Sequence, residues 1–146
     1  MSLRSVLILA TFALLSIGTA QAAEHEVKML NKGERGVMVF EPAVLQVAPG
    51  DTVHFVPTDK SHNAESIEGM LPEGAQPFVG KINEAITITF AQDGVYGIKC
   101  KPHYAMGMVA LVVVGDPKVN FEDARAVPQK GKAKKVFEEL FGELAH

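Results

Sequence analysis

Between His25 and Val114 the chain is a succession of short apolar runs separated by turn residues. His25–Leu30 (HEVKML) alternates polar and apolar side chains, the period of a strand with one buried face. Asn31-Lys32-Gly33 and Gly36 turn it into a second run, Val37–Phe40, which Glu41-Pro42 ends. Val44–Val47 is a third run, and Pro49-Gly50 turns it into Thr52–Val56. Ala85–Phe90 (AITITF) alternates strictly, Asp93-Gly94 turns it into Val95–Lys99, and Met108–Val114 is an apolar strand stopped by Gly115-Asp116-Pro117. Between these, Pro57–Asn63 is polar and turn-rich. Glu65–Gln76, broken by Gly69, Pro72 and Gly74, allows at most one helical turn around Ser66–Gly69. Many short strands at this spacing predict an all-β, two-sheet antiparallel sandwich.

The periodicity changes after Val114. Phe121–Val127 fits a short helix stopped by Pro128. Lys132–Leu144 then places Val136, Phe137, Leu140, Phe141 and Leu144 at helical spacing, with Lys130, Lys132, Lys134, Lys135, Glu138 and Glu139 on the polar side. A helix with one apolar stripe packs on the sandwich.

The start differs again. Arg4 precedes an almost wholly apolar run, Val6–Ile17, and Ala20-Gln21-Ala22 fits the small-x-small rule of leader cleavage, so residues 1–22 read as a removable export signal. The run is shorter than the ~20 residues of a spanning helix, which argues against a membrane anchor. Residues 23–146 form one domain, expected in the periplasm and as a monomer. With 14 Lys and Arg against 17 Asp and Glu, and Arg4 lost with the leader, the domain carries a net charge of −4. No dense basic run is present to suit a nucleic-acid partner. His25 and His54 fall on expected strands and His146 is the last residue, so none suggests a second metal site.

One stretch carries chemistry that packing does not demand. Cys100, the only cysteine, is followed after three residues by His103 and after eight by Met108, with His62 on a polar loop upstream. A lone thiol in an oxidising compartment is exposed to oxidation unless a metal holds it. Thiolate, two imidazoles and a thioether are the donor set of a trigonal copper site with a long axial ligand. On residues alone Met106 competes with Met108 for the axial place. A copper chaperone and a thiol enzyme using the Cys100–His103 pair are the rival readings; neither a substrate pocket signature nor a second metal centre supports an enzyme.

The spacing Cys-x2-His-x4-Met, with His62-Asn63 upstream, resembles the cupredoxins, the small blue copper proteins. The resemblance extends over most of the domain toward their pseudoazurin branch: MLNKG at Met29–Gly33, MVFEPA at Met38–Ala43, PGD at Pro49–Asp51, DKSHN at Asp59–Asn63, KINE at Lys81–Glu84 and KPHYAMGM at Lys101–Met108. It implies a Greek-key β-sandwich with a two-helix C-terminal extension over about 121–144. It also implies one type 1 copper ion held by His62, Cys100, His103 and Met108, and an electron carrier rather than an enzyme. Copper nitrite reductase is the expected periplasmic acceptor, cytochrome c peroxidase another. The same resemblance puts Met38 beside His103, with Pro57, Pro102 and Ala105 around an apolar rim, and Lys32, Lys60, Lys81, Lys99 and Lys101 at the copper end. The Asn63 N–H is placed to donate to the thiolate, while Pro102, lacking an N–H, withholds a second donor.

Overall fold

The computed structural model describes residues 21–145, so the export signal expected over residues 1–22 lies outside the described residues but for its last two, as does His146. Eight strands follow in order: β1 (Glu24–Gly33), β2 (Gly36–Glu41), β3 (Val44–Val47), β4 (Thr52–Pro57), β5 (Glu65–Ser66), β6 (Ile86–Thr89), β7 (Gly94–Lys99) and β8 (Val109–Val114). Two helices close the chain, α1 (Phe121–Ala126) and α2 (Gly131–Leu144). The strands form two four-stranded sheets, ordered β2-β1-β4-β6 and β3-β8-β7-β5.

The fold is the expected all-β sandwich with a two-helix extension, but its sheets are mixed rather than antiparallel. β1 runs parallel to β4 and β3 parallel to β8, while the remaining pairs are antiparallel. Turn residues report hairpins, which are local; a parallel neighbour must come by a longer crossover that leaves no turn signal. Ser66–Gly69, where the sequence allows at most one helical turn, forms none. Glu65 and Ser66 are drawn into β5 opposite Lys99 and Ile98, and the Ser66 N–H donates to Phe78 O.

The continuous apolar run of β8 has a structural reason. Ala110, Val112 and Val114 face the other sheet, whereas Val109 and Leu111 face the C-terminal helices. A strand covered on both sides needs no polar alternation. On β7 the same parity sends Tyr96 and Ile98 into the space between the sheets, and Cys100, two residues on, follows them. Strand periodicity thus aims the thiol inward.

On α2, Ala133, Phe137, Leu140 and Phe141 are buried. The large ones contribute about 1.5–3 kcal/mol each by leaving water. The helical extension also buttresses the loop after β7. Tyr104 Oη donates to Gln129 Oε1 at 2.6 Å and accepts from the Lys130 N–H at 3.2 Å. No described helix is long and apolar enough to cross a membrane.

Candidate metal centre

Three elements deliver the candidate ligands to one end of the sandwich. β7 ends at Lys99 and releases Cys100. A single 3₁₀ turn, Tyr104–Met106, follows His103, and Gly107 then returns the chain to β8. The loop is closed by its own backbone: Cys100 N–H donates to Met108 O at 3.0 Å and Met108 N–H to His103 O at 3.2 Å. Gly107 has φ 87°, a left-handed conformation, and a Cβ there would stand 3.0 Å from Val136 and 3.1 Å from Lys132. Glycine is required both for the turn and for the close approach of α2.

His62 arrives from the connection between β4 and β5. That connection is pinned to residues 77–84: the Ser61 N–H donates to Asn83 Oδ1 at 2.6 Å, and the Asn83 N–H returns a bond to His62 O at 2.9 Å. Ser61 and Asn83 both have positive φ, 73° and 65°. Strained backbone of this kind persists only where the surroundings over-determine it, and here it frames a ligand.

His62 Nδ1 lies 3.1 Å from His103 Nδ1, and Cys100 Sγ lies 3.7 Å from the first and 3.6 Å from the second. These separations suit donors sharing one ion, with bonds of about 2.0 Å to nitrogen and 2.3 Å to sulfur. The tautomer agrees. His62 Nε2 lies 2.9 Å from Asn31 Oδ1, an acceptor, so the ring proton sits on Nε2 and Nδ1 presents a lone pair to the cluster. His62 is fully buried, and burial first, then His103, pushes its pKa down, which keeps it neutral. Met108 is fully buried in the same cluster as Cys100, whereas Met106 is 42 % exposed. Two imidazole nitrogens and a thiol sulfur converging at this spacing fit a soft cation.

The Cys100 thiol is raised by burial, lowered by the N–H groups of Asn63 and then His103, and raised by the Glu65 charge. The Asn63 N–H thus favours the thiolate as expected, while the His103 N–H donates at 3.2 Å to Cys100 O. Asn63's side chain ties the two ligand segments together. Its Oδ1 accepts from the Lys101 N–H at 2.8 Å, and its Nδ2 donates to Glu65 Oε2 at 3.1 Å and Gly80 O at 3.0 Å. Glu65 Oε1 in turn faces Lys99 Nζ at 3.4 Å.

Around this cluster Pro102, Ala105 and Met106 are exposed, while His103, Pro57 and Met38 are half-buried. Met38, at φ 53°, packs against the core cluster that contains Cys100 and Met108. Lys32, Lys60, Lys81 and Lys101 are exposed, whereas Lys99 leans inward to Glu65. His25 and His54 are structural, against Asp51 and Thr87 at 2.9 Å each. Two residues of the centre had no sequence signal: Asn31 counted only as a turn residue, and Glu65 as part of a loop.

The family model for copper binding proteins of the plastocyanin/azurin family matches residues 27–115. The chain is 54 % identical over 124 residues to a pseudoazurin of Paracoccus pantotrophus, covering 85 % of this chain and 83 % of that one. It is 45 % identical over 146 residues to a pseudoazurin of Methylorubrum extorquens, covering 99 % of each. A refined crystal structure of pseudoazurin from Methylobacterium extorquens AM1 superposes with a TM-score of 0.80 at 48 % identity, over 83 % of this chain and 98 % of that one.

Proposed function

Since the chain belongs to the plastocyanin/azurin family of copper-binding proteins and, within it, to the pseudoazurins, electron-transfer cupredoxins rather than enzymes, we propose that it is a mobile one-electron carrier of the periplasm. His62, Cys100, His103 and Met108 hold its copper. The observation that carries the ligand assignment is the triangle of His62 Nδ1, His103 Nδ1 and Cys100 Sγ, with sides of 3.1, 3.6 and 3.7 Å. Copper supplies the one-electron couple. The chain's part is to keep its donors in one arrangement that suits both oxidation states, so that little moves when the electron does.

Each donor is held by a different constraint. Asn31 fixes the His62 ring and Asn83 its backbone, β7 parity aims Cys100, and the Met108 backbone closes onto both Cys100 and His103. Burial of Cys100, His62 and Met108 excludes water from the donors. His103, beside exposed Pro102, Ala105 and Met106, is the ligand whose edge a partner can approach.

The leader pattern over residues 1–22 supports export to the periplasm, and copper nitrite reductase or another periplasmic reductase is the acceptor. Lys60 lies two residues before His62, Lys101 follows Cys100, and Lys32 adjoins Asn31, so exposed cations flank the ligand segments despite the negative total. Such charges raise the encounter rate with an acidic partner more than the affinity. The oxidised, copper-loaded protein should absorb intensely in the visible through thiolate-to-copper charge transfer and bleach on adding ascorbate. A colourless copper complex would sink the carrier reading and favour a chaperone.

A further inference from the structure

At the opposite edge of β4 from the ligand loop, Asp51 carries a charge that the described residues answer only in part. The residue is 6 % exposed. Its Oδ2 accepts from the Ala48 N–H at 3.0 Å and faces His25 Nε2 at 2.9 Å, while among the described residues Oδ1 has one donor, the N–H of Ala23, at 2.9 Å. These bonds, His25 foremost, hold the carboxyl at about 2, so it is ionised throughout the neutral range. Among the described residues its ion-pair partner is His25, a cation only when protonated.

Ala23 is also where the described residues first join the sheet. Its C=O accepts from the Thr52 N–H at 2.9 Å, and the next residue, Glu24, opens β1 in register with Thr52. Gln21 and Ala22 are exposed and belong to no strand or helix. The bond between Ala22 and Ala23 therefore lies just outside the sheet, directly after Ala20-Gln21-Ala22.

We propose that the Asp51 carboxylate is a binding site for the α-ammonium group released when the chain is cut between Ala22 and Ala23, so that removal of the leader completes the fold. The proposal rests on the leader reading of residues 1–22. A leader peptidase breaks the Ala22–Ala23 amide with one water, leaving a carboxylate on Ala22 and an ammonium on Ala23. The cut replaces a single amide donor by a cation with three N–H donors, at an atom already 2.9 Å from Oδ1. Among the described residues Oδ1 accepts no other bond, and a carboxylate oxygen can accept a second. The cation places a full positive charge at Oδ1, whereas His25 faces Oδ2.

The test compares copper-loaded protein starting at Ala23 with the same protein retaining Ala20-Gln21-Ala22, each with Asp51 and with Asp51→Asn, by thermal unfolding at pH 7. The Ala23 form should melt about 3 °C or more above the extended form, and the gap should close in the Asp51→Asn pair. Equal midpoints with Asp51 present, or a gap that survives Asp51→Asn, overturn the proposal. Should Asp51→Asn fail to fold, titration of the Ala23 α-amine in the unaltered chain decides: a value above the ordinary range of about 7.7–8.0 supports capture, and an ordinary value overturns it. Mass analysis of the exported protein separates the two layers. A first residue other than Ala23 overturns the leader reading and the capture together; a start at Ala23 with equal midpoints overturns the capture alone.

Discussion

The two histidines of the centre meet at 3.1 Å yet live in opposite surroundings. His62 is fully enclosed, its ring tied to Asn31 and its carbonyl to Asn83. His103 is half-buried, its ring has no hydrogen bond outside the ligand cluster among the described residues, and exposed Pro102, Ala105 and Met106 surround it in sequence. The centre thus has a rigid back wall, made by distant segments, and a front made by one loop. A carrier needs both: the wall keeps the donors still, and the front lets a partner come near.

The largest expected effect separates the two sides outright. His103→Gly opens a gap toward solvent, so the visible colour should be lost and then restored by free imidazole. His62→Gly leaves a gap at a fully buried position, and imidazole should not restore it. Visible spectra of both variants with added imidazole check this, and equal recovery would erase the distinction between wall and front. Next in size is the tether. Asn31→Ala frees the His62 ring to turn and to change tautomer, and loss of such an outer hydrogen bond costs about 10–100-fold in metal affinity. Competition with a chelator measures it; an unchanged copper affinity would mean that packing alone orients the ring.

That contrast also explains what the chain disclosed before folding. Cys100, His103 and Met108 are legible because one loop carries them, and the strands because turn residues bound them. The back wall is not. Asn31 acts on His62 across 31 residues, and an Asn in an Asn-Lys-Gly turn looks the same whether its side chain is idle or engaged. Glu65 sits in a stretch broken by Gly69, Pro72 and Gly74, where only pairing with Lys99 makes a strand. For the same reason the β1–β4 and β3–β8 parallel pairings stayed hidden: they are decided by which segments share a core.

Met106 and Met108 are two residues apart, but Met106 is 42 % exposed and Met108 fully buried beside Cys100. Met108→Leu should change the visible spectrum through loss of the axial thioether, while Met106→Leu leaves it nearly unchanged. The reverse pattern would assign the axial position to Met106.

The smallest effect belongs to the wall's charge. Glu65, 7 % exposed, faces Lys99 on one oxygen and accepts from Asn63 on the other. Its negative charge already raises the Cys100 thiol, and the same field favours the more positive, oxidised metal. Glu65→Gln keeps the shape and an acceptor for Asn63 but removes the charge, so the reduction potential should rise by roughly tens of millivolts, the scale of a unit charge screened by an intermediate dielectric. Lys99→Gln removes the compensating cation and should lower the potential, by less, because the Lys99 side chain is 32 % exposed and water screens it. Opposite signs in the two variants identify an electrostatic role. Shifts of the same sign, or none, would reduce the pair to a packing element that holds Asn63 against the ligand loop.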